Sequence, residues 1–243
     1  MGAMLSPSGY HLPQLDPLAQ LRAGRSTRRL VQLGGGLFLY GWSMAMMLRA
    51  ELGLPPWDVL HQGLARYLPL SFGAVTIVVG AVVLLLWIPL RQWPGLGTVA
   101  NVFVIGIAAD LGLAVIPVPD SLMARIALLA AGLVLNGLAG AAYIGSIFGP
   151  GPRDGLMTGL AARTGGSLRL VRTAIELAVL GIGFALGGTV GIGTLLYALG
   201  IGPLVQLFLP AVAVRLPPAA SRHGPGDPPG RAKMRGGHCG GSA

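Results

Sequence analysis

Cysteine, charge and recognisable catalytic motifs are all scarce in this chain of 243 residues. Cys239 is the single cysteine, which excludes a disulfide framework and a zinc site built from cysteine ligands. The four histidines are scattered and form no HExxH pair, so we expect no metal. No P-loop motif and no well-placed GxGxxG is present, so we expect neither a cofactor nor an enzymatic activity.

Charged residues make up only 10% of the chain, against 53% apolar residues and a mean hydropathy of +0.71. Such a composition leaves too little polar surface to cover a soluble globule. The apolar residues also come in blocks near the length that crosses a bilayer as helix. The sequence therefore predicts a multi-span membrane protein whose partner is the lipid bilayer.

The chain divides into six apolar segments and two shorter helical ones. We predict an all-α polytopic fold with six transmembrane helices, at about 30–48, 72–90, 96–116, 124–147, 168–188 and 191–213. The shorter segments, 57–68 and 153–163, each follow a proline-containing turn. Near ten residues long, they fit re-entrant or interfacial helices better than spanning ones.

The net charge is +9, and the positions of the basic residues follow the pattern of a membrane topology signal. We therefore expect no nucleic-acid partner. With the N-terminus inside, fourteen of the 17 basic residues lie on the cytoplasmic side and three outside. We expect residues 1–27 to form a disordered basic cytoplasmic arm and 216–243 a disordered Pro/Gly/Arg-rich cytoplasmic tail. Both termini would then be cytoplasmic in a bacterial plasma membrane.

The sequence repeats itself at a shift of 96 residues. Between 29–116 and 125–212, 26 of 88 aligned positions are identical without a gap. We therefore divide the core into a first three-span repeat, 28–120, and a second, 121–215. An odd number of crossings per repeat inverts the second copy, and inverted repeats that pair short helices are the architecture of many secondary transporters. Duplication for folding economy, without transport, is the alternative.

Asp58 and Asp154 are matched carboxylates at the starts of the two short helices. Either they cap those helices, or they hold a proton, a cation or a substrate between the repeats. His61 lies one turn after Asp58 and could relay a proton with it. Because its repeat counterpart is Met157, a surface histidine is the favoured interpretation of His61.

Other polar residues are candidates for binding or coupling. Thr98 and Thr194 belong to the repeated Gly-x-Gly-Thr turns, which favour a structural role over substrate contact. Inside the predicted spans, Asn101 and Gln206 are candidate binding residues, and Asp110 is a candidate coupling residue.

The fifth predicted span carries Arg169, Arg172 and Glu176 on one face. Glu176 can pair with Arg172 four residues earlier. The repeat counterparts of these three residues are Gly73, Thr76 and Gly80, so the halves diverge here. An asymmetric gate and a structural ion pair are both consistent with this divergence.

Small residues recur every four positions along the fourth predicted span, at Gly137, Ala141, Gly145 and Gly149. Such rows let helices approach closely in lipid. Packing within the chain is the favoured use, and a homodimer seam is the alternative.

Several stretches resemble the YczE/YitT group of bacterial integral membrane proteins over about residues 28–212. They are PPWDVLHQGLA (55–65), GLGT (95–98), GPRDGLMTGLA (151–161) and GGTVGIGTLLYALGIGPLVQ (187–206). The resemblance implies a six-span plasma-membrane protein, and some related sets have been grouped with small-molecule exporters. It supplies no catalytic residues.

We expect a secondary transporter or exporter of an unknown small molecule, with its site between the repeats and proton coupling as one mechanism. The alternative is a non-transporting membrane scaffold that supports a cytosolic enzyme through its basic arm and tail.

Overall fold

The computed structural model describes residues 24–214, and within this range the chain forms eight α-helices. We number them α1 to α8: Ser26–Ala50, Pro56–Ala65, Phe72–Leu90, Leu96–Val115, Leu122–Gly145, Pro152–Thr164, Leu168–Ala185 and Ile192–Val212. The predicted arm and tail lie almost wholly outside the described residues. The predicted helices are confirmed to within a few residues at each end.

Five of these helices are long and apolar enough to cross a membrane: α1, α3, α4, α5 and α8. The sixth predicted span, 168–188, does form a helix, α7, of 18 residues. However, α7 carries Arg169, Arg172 and Glu176 within that length and is not among the five. The described chain is therefore a polytopic helical protein with five strongly apolar helices and one helix that is part charged.

The two short helices both begin at proline. Pro56 and Pro152 occupy the first helical position, where the missing N–H costs no hydrogen bond and the fixed φ suits a helix. α2 then runs for 10 residues and α6 for 13, ending at Gly165 with a positive φ of 67°. Neither is long enough to cross a bilayer.

The packing exchanges elements between the halves of the chain. α1 packs against α5 and α4 at the centre, and α5 packs in turn against α8. The short helices cross over: α2 packs on α7 of the second half, and α6 packs on α3 of the first half. Each short helix is therefore held by the half of the chain to which it does not belong.

Contacts in the first half recur 96 residues later. The N–H of Gly97 donates to the carbonyl of Phe148 at 2.8 Å, and the equivalent Gly193 donates to the carbonyl of Leu52, also at 2.8 Å. Leu52 and Phe148 are themselves 96 residues apart. The repeated sequence thus makes repeated contacts, each between one half and the other.

The row of small residues in α5 packs inside the chain, as favoured. A methyl group added to Gly137 would meet the Cβ of Leu204 at 2.6 Å, and one added to Gly145 would meet the Cα of Ala213 at 3.0 Å. Ala141 is fully buried in the same contact with α8. The row is therefore occupied by intramolecular packing between α5 and α8.

Candidate functional site

A cavity of about 350 Å³ lies where α2 and α6 begin. Every one of the eight described helices contributes to its lining. Three of the four tyrosines in the described range, Tyr40, Tyr143 and Tyr197, face it together with Trp57. It is therefore an internal chamber with a mixed polar and aromatic wall, within the size range of small-molecule sites.

The starts of the two short helices meet at this cavity. The guanidinium of Arg153 lies over the ring of Trp57, 5.0 Å from its centroid, and its Nη2 is 3.6 Å from Oδ1 of Asp58. Trp57 and Arg153 occupy equivalent positions of the repeat. The first turns of α2 and α6 are therefore joined by a stacking contact and a weak ion pair.

Asp58 is buried, with 2% of its surface exposed, and its Oδ1 has no hydrogen-bond partner among the described residues. Its carboxylate lies 3.4 Å from Nδ1 of His61 and also faces Arg153. The capping interpretation of Asp58 is thus not realised as a hydrogen bond. Instead, the residue anchors α2 to α6 through charge.

His61 is buried, not on the surface, and the favoured interpretation was therefore wrong. Only 1% of it is exposed, and Nδ1 lies between Asp58 and the hydroxyl of Thr76, 3.3 Å away. Its ring also meets Phe72 edge to face, and it lines the cavity. Burial lowers the pKa of His61 more than the neighbouring Asp58 carboxylate raises it, which favours the neutral ring.

Asp154 stands at the equivalent position of α6 but points into the cavity. Its side chain is accessible from the cavity. Desolvation by the surrounding protein raises the pKa of this carboxyl, against the opposing effects of Arg172, Arg153 and the backbone at Gly151. A carboxyl with a raised pKa that faces a chamber can take up and release a proton.

A polar network crosses the wall of the cavity among α1, α5 and α8. Asn136 donates to the hydroxyl of Ser43 at 2.8 Å and accepts from the hydroxyl of Tyr197 at 3.2 Å, while the hydroxyls of Tyr197 and Tyr40 lie 3.4 Å apart. Sequence reasoning did not single out these residues. The available signal was Asn136, an amide inside a predicted span.

Four further predicted residues line the same cavity. Arg172 and Glu176 form the predicted ion pair, with Nε and Oε1 2.9 Å apart, so this pairing is confirmed. Asn101 and Gln206 face the cavity from α4 and α8. The structure therefore brings six of the eleven predicted site residues to one chamber: His61, Asn101, Asp154, Arg172, Glu176 and Gln206.

The remaining predicted residues lie outside the cavity wall. Asp110 accepts from the N–H of Gly73 at 2.7 Å and from the hydroxyl of Ser71, and so holds the start of α3. Arg169 is exposed on the first turn of α7. Asp58 lies directly behind the wall, joined to it through Arg153.

Thr98 and Thr194 are buried in the turns that open α4 and α8. Each hydroxyl accepts a hydrogen bond from the N–H of the glycine three residues earlier, at 3.1 and 3.3 Å. Thr98 also donates to the carbonyl of Pro150 at 2.7 Å, which ties the start of α4 to the loop before α6. This geometry agrees with the structural role favoured from the sequence.

We expect Thr98→Val to lower the free energy of unfolding by about 1–3 kcal/mol, because it removes the hydrogen bonds to the buried N–H of Gly95 and to the carbonyl of Pro150. Thr194→Val is the matched control: it is the equivalent substitution in the other half and removes one hydrogen bond, that from the N–H of Gly191, instead of two. Thermal unfolding in detergent measures both. An equal loss in the two variants would contradict the role given to the bond with Pro150.

No group of three His, Cys, Asp or Glu side chains that could hold a metal ion occurs among residues 24–214.

Helices that can cross a bilayer, packed around a polar chamber, define a polytopic helical membrane protein. Residues 27–210 match a family described as a family of unknown function, DUF6198, and the chain belongs to that family. The YczE-like resemblance noted in the sequence is thereby confirmed.

Relatives occur in two bacteria. An uncharacterized protein of Haemophilus influenzae is 38% identical over 181 residues, covering 74% of this chain and 83% of the relative. The uncharacterized membrane protein YczE of Bacillus subtilis is 30% identical over 177 residues, covering 72% of this chain and 82% of YczE. The uncharacterized protein YyaS of the same organism is 28% identical over 183 residues, covering 74% and 91%. No solved structure matches the chain.

Proposed function

We propose that this protein is a secondary transporter of a small molecule across the bacterial plasma membrane, coupled to protons through Asp154. The observation that carries the proposal is the chamber at the junction of α2 and α6, with the Asp154 carboxyl, whose pKa is raised, facing it. Transporters of this kind place their sites where short or broken helices meet.

The proposed architecture is six spans in two inverted repeats, with α7 as the sixth crossing. Hydrogen bonds that recur 96 residues apart support the repeat, as does the exchange of short helices between the halves. The charges of α7 support its assignment because two of them face the chamber, where polar side chains in a span are tolerated. The proposal keeps both termini cytoplasmic on the distribution of basic residues.

Asp154 acts as the proton carrier in this scheme. In its neutral form it leaves Arg153 and Arg172 facing only the carboxylates of Asp58 and Glu176, so that both cations can also face a ligand. In its charged form it competes with the ligand for the same two cations. Occupancy of the site by proton and by substrate is then linked, which is the requirement for coupled transport.

The scaffold alternative is less well supported than transport. A scaffold needs only closed packing with the carboxylates of the short helices used as caps. The chamber is open, and Asp58 faces Arg153 of the other short helix, 3.6 Å away. The proposal includes no enzymatic step.

Proton movement in reconstituted vesicles tests transport directly. Vesicles with a trapped pH-sensitive dye are screened with panels of small organic anions, cations and zwitterions, and at least one solute should move protons only where the protein is present. Gly140→Leu should abolish this movement because Gly140 lines the chamber. Gly34→Leu, with open space around the added side chain, is the matched control and should behave as wild type.

Two results would overturn the proposal. One is that no solute in the panel moves protons; the other is that Gly140→Leu, folded as judged by thermal unfolding, moves them as well as wild type does.

A further inference from the structure

The two halves of the fold differ at one interface. In the first half, α3 packs closely along α4. The equivalent helices of the second half, α7 and α8, make no comparable contact: α7 packs on α2 and α6, and α8 packs on α5. Among the described residues a cleft therefore separates α7 from α8.

The sequence explains why this interface is open. A methyl group added to Gly106 of α4 would meet the carbonyl oxygen of Gly73 in α3 at 2.6 Å. The counterpart of Gly106 in α8 is Gly202, where an added methyl would meet nothing within 4 Å. The counterpart of Gly73 in α7 is Arg169. The first half therefore has a close contact between two glycines of α3 and α4. At the equivalent positions the second half has an arginine in α7 and a glycine with open space around it in α8.

The same replacement continues along α7. Thr76 and Gly80, which lie on the α3 side of the closed interface, become Arg172 and Glu176. Long charged side chains replace small ones at the positions that would otherwise let the helices meet. We conclude that the cleft is built into the sequence, one turn after another, and is not a local irregularity.

The cleft connects the chamber to the outer face of the bundle. Arg172, Gly202 and Tyr197 line the chamber, and Gly202 is also exposed. The same two helices carry exposed leucines: Leu177 of α7 and Leu199 of α8 are 63% and 69% exposed, as lipid-facing side chains are. The opening therefore has a polar interior and lies between helices with exposed apolar side chains.

The polar side chains of the cleft form a path. Arg169, Arg172 and Glu176 share a face of α7, and the seven residue-to-residue steps from Arg169 to Glu176 extend about 10 Å along the helix. Arg169 lies in the first turn, at the end of the helix, and Glu176 lies at the chamber. Charged side chains therefore extend from the end of α7 to the chamber.

A donor without a partner lies at the inner end of this path. The indole N–H of Trp57, a residue only 6% exposed, has no hydrogen-bond partner. α2 and α6 both begin here, and the N-terminal ends of helices carry partial positive charge. Arg153 and Arg172 lie beside them, each facing one carboxylate, of Asp58 and Glu176 respectively. An acidic head group offers the acceptor that Trp57 lacks, and its charge can bind the two guanidinium groups.

We propose that the cleft between α7 and α8 is a lateral entrance from the bilayer, and that its ligand is an amphipathic acid. The carboxylate or phosphate head binds Arg172 and the chamber beyond it, while the apolar tail remains between the helices and in the lipid. This inference rests on the proposed transport function, and it names the class of substrate that the same chamber would bind.

Binding of a fluorescent fatty acid tests the entrance. Protein in phosphatidylcholine nanodiscs is titrated with dansylaminoundecanoic acid, and energy transfer from tryptophan to dansyl reports its approach. Wild type should show saturable binding that dodecyl phosphate displaces and inorganic phosphate does not. Displacement by dodecyltrimethylammonium as strong as that by dodecyl phosphate would overturn the assignment of an acidic head.

Two glycine variants separate the cleft from the lipid surface. Gly202→Leu, which fills the cleft where space is open, should weaken binding at least about tenfold. Gly181→Leu is the matched control because it adds the same side chain to an exposed glycine of α7 with open space around it, and it should bind as wild type does. Equal binding by both variants would overturn the lateral entrance. Arg172→Gln provides a second test: it should weaken the acid and leave the thermal unfolding profile near that of wild type.

The two proposals fail in different ways. If a water-soluble solute moves protons in vesicles but the fatty acid shows no saturable binding, transport stands and the lateral entrance is wrong. If the fatty acid binds with the expected variant pattern but neither it nor any solute moves protons, the cleft stands as a binding site and transport is wrong.

Discussion

Asp154→Asn should abolish proton-coupled flux, with a loss of at least about 100-fold, while the protein still folds. The substitution keeps the size and hydrogen-bonding capacity of the side chain but removes the group that titrates. Asp154 faces the chamber directly, whereas its repeat counterpart Asp58 is buried against His61 and Arg153. Of the two matched carboxylates, Asp154 is the one that lines the chamber, and so we expect the larger effect there.

The pH dependence of stability gives a second readout of Asp154. Desolvation raises its pKa in the folded protein, so the folded state binds the proton more tightly than the unfolded state does. At pH above the folded pKa the charged carboxyl therefore destabilises the native state. Asp154→Asn should raise the thermal unfolding temperature at neutral pH, and this difference should disappear below the ordinary carboxyl pKa, where both side chains are neutral.

Asp110→Asn is the control for both measurements. Asp110 also lies in a predicted site but serves the start of α3, where an amide oxygen can still accept from Gly73. We expect its coupled flux per folded molecule to match wild type. Retention of proton-coupled flux in Asp154→Asn would show that another group carries the proton.

The sequence predicted most of the helices because their ends are marked by local chemistry. Pro56 and Pro152 mark the starts of the short helices, and the apolar runs have the length that a bilayer requires. The charges on α7 were visible as well. Their effect on the packing of α7 against α8 could not be predicted. It becomes clear only by comparison with the contact between α3 and α4, which the structure provides.

The site was predicted in part, and the errors have a physical pattern. His61 was placed at the surface because the repeat offers no polar counterpart for it, yet tertiary packing buries it between Asp58 and Thr76. The hydroxyl contact between Tyr40 and Tyr197 joins residues 157 positions apart, and no local pattern predicts such a pair.

One signal for the junction of the short helices was available but unused. In a two-fold arrangement of repeats, residues near the axis contact their own counterparts. Trp57 and Arg153 are such a pair, and they stack. A search for complementary residue types at equivalent repeat positions would have found this contact from the sequence.

Arg29→Met should cost about 3–5 kcal/mol of stability, which lowers the unfolding temperature by about 10 °C. Arg29 is fully buried, although the sequence suggested only a topology signal. Its Nε and Nη2 donate to the carbonyls of Ser146 and Ile147 at 2.9 and 2.7 Å, and its guanidinium lies 4.2 Å from the ring centroid of Phe148. Methionine fills the space but leaves these carbonyls at the end of α5 without a donor.

Two control variants distinguish the loss of the Arg29 hydrogen bonds from the loss of a positive charge and from a change at the equivalent repeat position. Arg28→Met removes the same positive charge from an exposed neighbour and should change the unfolding temperature little. Arg125→Met alters the repeat counterpart of Arg29, which pairs with Glu51 at 2.8 Å and is partly exposed, so we expect a loss of about 0–1 kcal/mol. The contrast between two equivalent arginines follows from what each one holds: Arg125 pairs with an exposed carboxylate, whereas Arg29 closes the left-handed turn at Ile147 that leads the chain from α5 toward the start of α6. Equal losses in Arg29→Met and Arg125→Met would contradict that distinction, and with it the view that buried hydrogen bonding at this turn positions the second short helix.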